Sequence, residues 1–157
     1  MSKSLSFVDA IVATAQQKHD AAKARSSAVD AEKPRDVIFR SCQAIADKLR
    51  EDGFSFVKSG PMLKRAQGGR VFKIAFQSDR NNIAGRRAAI WIHAIIDEAV
   101  SGDRIAGSQI GDLLTERSWM EWDFADEASR EHEVSDAVAA IRRLILPFFA
   151  TFENRVT

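Results

Sequence analysis

At Gly53 the apolar residues of this chain change their period, and that change limits what it can fold into. Upstream, Ile38, Cys42, Ile45 and Leu49 recur at steps of four, three and four, which puts them on one face of a helix. Downstream, Phe54 and Phe56 alternate with polar neighbours, as do Phe72, Ile74 and Phe76, the rhythm of a half-buried strand. The helical period returns at Val134 and runs through Val138, Ile141, Ile145, Phe148 and Phe152. Helices, then strands, then a helix, joined by short connections, predict an α+β domain with an antiparallel sheet and helices on one face.

Local punctuation sharpens this outline. Ser6 is a plausible N-cap for a first helix over about 6–32, with Phe7, Val8, Ile11, Val12 and Ala15 as its apolar stripe. Beyond Ala15 the stripe fades, leaving that half free to project, fray or pack on a partner. At 1.5 Å per residue the helix would span on the order of 40 Å, long enough to act as the arm of a homodimer. Pro34 suits the first turn of a second helix and Gly53 its stop. Gln67-Gly68-Gly69 marks a hairpin, since glycine accepts positive φ.

In the strands, Phe72, Ile74 and Phe76 share one face, with Val71, Lys73 and Gln77 opposite. Ile90, Ile92, Ala94 and Ile96 likewise oppose Trp91, His93 and Ile95. The three-glycine stretch Ser101 to Arg117 reads as loop, with room for a helical turn. In the run Trp119 to Phe124, alternation turns Met120, Trp122 and Phe124 inward and Trp119, Glu121 and Asp123 outward. A last helix is expected from about Ser129 to Glu153, kinked or ended near Leu146 by Pro147. The expected domain spans residues 1–157, with an N-terminal helix over 1–33 and a core over 34–157. Its sheet has about five strands, with two N-terminal helices and one C-terminal helix on one face.

A chain of 157 residues can bury a core without staples, and its one cysteine, Cys42, allows no internal disulfide. The N-terminus lacks a signal-peptide pattern, and no run of about 18 apolar residues occurs, so the expected compartment is the cytoplasm, away from membranes. Net charge is +1, but its distribution is uneven. Residues 58–87 hold 8 basic against 1 acidic side chain, and residues 88–136 hold 3 basic against 12 acidic. Such neighbouring blocks mark either a binding surface or two stretches that pair within the fold.

Motifs with a mechanism are scarce. No G-x-S-x-G, P-loop, G-x-G-x-x-G or H-E-x-x-H pattern is present, and a single cysteine excludes a cysteine-based zinc site within the chain. No cofactor is implied. His93, with Asp97 further along the same strand face, resembles a general base held by a carboxylate, and Arg80 in the string FQSDRNN can fork onto an anion. These two are the catalytic candidates, against a satisfied strand histidine and ordinary turn chemistry. Glu121 and Asp123 share a face and could hold a divalent cation, but no third ligand is in view.

Two surfaces compete as binding sites. Lys64, Arg65, Arg70, Lys73, Arg86 and Arg87, in the basic hairpin 58–87, suit nucleic-acid phosphates. Trp119 beside Glu121 and Asp123, with Asp112 and Glu116 near in sequence, suits a basic protein partner. The strings GFSFVKSGPMLKR, FKIAFQSDRNNIAG and AAIWIHA, within residues 53–125, resemble bacterial domains of unknown function whose strand ends in F-Q-S. Some of those lie near toxin and defence loci, and the resemblance implies an α+β sheet domain without assigned chemistry. The leading expectation is a non-enzymatic interaction protein, an immunity- or antitoxin-like inhibitor of a basic partner. A nucleic-acid-associated protein is the alternative, followed by a small enzyme built around His93 and Arg80.

Overall fold

In the computed structural model, residues 16–17 and 31–153 are described, and the chain divides into two units, Met1–Glu32 and Lys33–Thr157. The second unit opens with α1, Pro34–Lys48, whose proline sits in the first turn, where an amide would lack a helical partner. Val37, Ile38, Cys42, Ile45 and Ala46 form its buried face. Burial pushes the Cys42 thiol up to about 12, so it stays protonated and behaves as a small apolar group. A short 3-10 turn, Arg50–Asp52, ends at Gly53, whose φ of 86° suits glycine.

Six antiparallel strands follow: β1 Ser55–Val57, β2 Met62–Gln67, β3 Arg70–Ser78, β4 Ala89–Glu98, β5 Arg104–Gln109 and β6 Trp122–Asp123. They pair in chain order from β1 to β5, while β6 pairs with the start of β4. The β2–β3 hairpin turns at Gly68 and Gly69, both at positive φ. Leu63, Phe72, Ile74, Phe76, Ile90, Ile92, Ala94 and Ile96 line the inner face and are buried. Against them pack α1 and a C-terminal helical run: α2 Arg130–Ala140, a π segment Ile141–Ile145, and α3 Leu146–Glu153. Each fully buried large apolar side chain there is worth about 1.5–3 kcal/mol.

The expected helix complement needs correction. Before the sheet, α1 alone among the described residues packs in this unit, and the long helical run is the C-terminal one. The helix expected over about 6–32 lies outside the described residues, apart from Gln16 and Gln17, which are helical. The sequence past Ala15 offers no apolar stripe to bury, whereas α1 and the C-terminal run supply the apolar contacts of the inner face. Pro147 does not end the last helix. The Leu146 amide bonds to the Ile141 carbonyl, five residues back. This wider turn directly precedes the proline, which has no amide to give and whose ring crowds the carbonyl four residues back. A second correction concerns β5, which occupies part of the stretch read as loop. No described helix is long and apolar enough to cross a membrane.

Candidate functional site on the outer face of the sheet

Strand alternation that sends the core residues inward sends Lys73, Ala75 and Gln77 of β3 and Trp91, His93, Ile95 and Asp97 of β4 to the opposite face. Helix α1 and the C-terminal run pack on the inner face. The centre of the outer face is an open cavity of about 780 Å³. Ala75, Gln77, His93, Ile95, Gly107 and Gln109 line its strand side, and Arg104, Asp112 and Arg117 also border it. Register explains the grouping: Ala75 lies opposite His93, and His93 lies opposite Gln109. Small residues at 75 and 107 leave the hollow.

Asp97 lies behind the lining, where it holds Arg104. It is only 5% exposed, and its carboxylate accepts from Lys73 Nζ and, at 2.8 Å, from Arg104 Nε. Burial pushes this carboxyl up, but the hydrogen bonds and charges of Lys73 and Arg104 outweigh it and hold the group below the usual carboxylate range. The expected support of His93 by Asp97 is therefore absent, because both carboxylate oxygens serve cations. Four residues of strand also separate the two by about 13 Å. Burial lowers the His93 pKa, so its imidazole is neutral at neutral pH. Its Nε2 and the Trp91 Nε1 are buried without hydrogen-bond partners among the described residues.

Trp119 stands at one end of this face, 61% exposed. Its ring meets Trp91 edge-on, with centroids 4.8 Å apart and planes at 75°. The loop carrying it folds back on a 3-10 turn, Ile110–Leu113, where the Ser118 amide donates to the Gly111 carbonyl at 3.2 Å. A Cβ at Gly111 would lie 1.8 Å from the Ser118 carbonyl oxygen, so only glycine permits this approach. Trp122, three residues on, is 2% exposed, and its indole donates to Asp136 at 2.9 Å. Neighbouring tryptophans thus serve opposite faces.

Other nominated residues fall elsewhere. Glu121 pairs with Arg87 at 2.8 Å, and Arg87 also holds the buried Asp79 at 2.9 Å. Asp123 accepts from the Ala88 and Ala125 amides, which pins β6 to β4. Asp112 and Glu116 are exposed, Asp112 at the cavity. In the FQSDRNN string, Asp79 accepts from the Asn81 amide, and Asn82 bonds both the amide and the carbonyl of Ala89. That is turn chemistry. Arg80 lies outside the lining of the His93 cavity, so the two catalytic candidates are not brought together.

The basic hairpin forms no single surface. Arg65 stacks against Phe54 and Phe72 and pairs with Glu153, while Arg70 donates to the Phe152 carbonyl. Lys73 and Arg87 are taken by Asp97, Asp79 and Glu121; Lys64 faces outward across from Lys73, and Arg86 is exposed in a loop. Phe72 and Phe76 are core residues. Among the described residues, no three His, Cys, Asp or Glu side chains gather as metal ligands.

Sequence reasoning missed Arg104, Gln109 and Arg117 as lining residues because they lie in the stretch read as loop. The available signal was Gly102, whose positive φ closes a tight β4–β5 turn. Comparison of the chain with models of known families, with curated proteins and with solved structures finds no match. Function therefore has to be argued from geometry.

Proposed function

We propose that this domain is a binding module whose protein partner docks on the outer face of the sheet with Trp119 as anchor. The observation that carries this reading is a tryptophan 61% exposed yet held edge-on against a second indole. Large aromatics dominate interface energetics, and a ring already oriented loses little freedom when a partner covers it. The supporting loop depends on the Gly111–Ser118 approach, so the ring is presented on a defined scaffold.

Charge adds less support than the sequence suggested. Glu121 is matched by Arg87 and Asp123 is engaged by backbone amides, so selection of a basic partner rests on Asp112 and Glu116. An immunity-type inhibitor is the form of this reading that those two carboxylates favour. The test is capture from a lysate of the native host by wild-type domain and by Trp119→Ala, with folding checked by circular dichroism. A protein held by the wild type and released by the substitution is expected. Equal capture by both, or capture abolished by nuclease treatment, would defeat the proposal.

A further inference from the structure

We infer that the cavity on the outer face is a binding site for the oxyanion group, phosphate or carboxylate, of a small molecule, gripped by Arg104 and Arg117. The inference stands apart from the protein-partner reading and needs no partner chain. Two guanidiniums face one carboxylate, Asp112, among the side chains that line the cavity. Beyond its wall, Asp97 is shared between Lys73 and Arg104, so one carboxylate serves two cations and a positive charge is left over.

The geometry is that of a preset arginine. Arg104 gives its Nε to the buried Asp97 at 2.8 Å, which fixes the plane of the guanidinium. Its terminal nitrogens make no hydrogen bond to another residue among the described contacts, and its side chain is 59% exposed. A planar fork held from behind by a carboxylate is well suited to grasp an oxyanion in front, and it gives up less freedom in doing so than a mobile lysine. Around it, Gln77 and Gln109 supply neutral donors and acceptors, while Ala75 and Gly107 keep the floor low. A hollow of about 780 Å³ takes a molecule larger than a bare ion, so the oxyanion is read as one end of the ligand.

The test titrates the full chain with sodium phosphate and, separately, with sodium citrate, at ionic strength held constant with sodium chloride. Proton–nitrogen NMR follows the Arg104 and Arg117 Nε–H groups and the Gln77 and Gln109 side-chain amides. Saturable shifts on these groups are expected with at least one of the two anions, and the stronger of the pair identifies phosphate or carboxylate chemistry. Arg117→Gln should weaken binding by about tenfold or more, in line with losing a charge-assisted contact. Arg104→Lys keeps a cation beside Asp97 and should weaken it comparably by removing the fork. Shifts that rise linearly with both anions, or spread over the whole surface, overturn the inference. So does saturable binding that neither substitution weakens.

Discussion

The two faces of β3 and β4 are made from the same strands yet follow different rules. Inward, Phe72, Ile74, Phe76, Ile90, Ile92 and Ile96 belong to one apolar cluster with residues of α1 and the C-terminal run. Outward, the intervening residues carry a lysine, glutamine, tryptophan, histidine and buried aspartate. The inner face is satisfied by packing alone. The outer face holds two buried ring nitrogens without partners among the described residues, and a carboxylate shared by two cations. A buried polar atom without a partner costs about 1–3 kcal/mol in lost solvation, so the outer face is built at some expense of stability. Polar groups placed against stability are where binding is to be sought.

Substitutions can break this contrast. The largest effect is expected inside: Phe72→Ala should lower the unfolding free energy by about 3–5 kcal/mol in urea titrations, because it leaves a cavity beside Arg65 and Phe149. A loss near zero would mean that the inner face is not the core. Next comes Asp97→Ala, which strands Lys73 and Arg104 together. Both cations keep some solvent, so the expected loss is about 1–3 kcal/mol by the same titration. Asp97→Asn should recover part of it.

A pH effect sharpens the comparison further. The folded His93 pKa lies below its ordinary value because of burial, so the unfolded chain binds this proton more readily. Its contribution to stability is present above the unfolded pKa of about 6.5 and is lost as pH falls. Urea midpoints of the wild type should therefore drop between neutral and mildly acidic pH more than those of His93→Gln. Parallel pH profiles would contradict the burial of this imidazole. The smallest effect is expected at Gln77→Ala, outward and exposed, which should stay within about 0.5 kcal/mol.

Much of this contrast was legible in the sequence. Period-two alternation in RVFKIAFQS and AAIWIHAII assigns every side chain a face, and WMEWDF does the same for its two tryptophans. The Gly68-Gly69 hairpin and the Pro34 start are local signals that tertiary structure left intact. What alternation cannot give is which residue of one strand lies beside which of the next. Lys73 with Asp97 and Arg87 with Glu121 join the basic block to the acidic block, and those pairings follow from register and from the path of the loops. The charge asymmetry that suggested a partner is thus partly spent inside the fold. β5 escaped notice because RIAGSQ, with no buried side chain and a glycine in its middle, shows no apolar alternation. With it went Arg104 and Gln109, two of the residues that shape the cavity.

The most direct test of a sheet with one face for folding and one for binding compares two tryptophans three residues apart. Equilibrium urea unfolding of Trp119→Ala should differ from wild type by less than about 1 kcal/mol, whereas Trp122→Ala should lose about 3–5 kcal/mol. Similar losses at both positions would show that Trp119 belongs to the core, and the division between the faces would not stand.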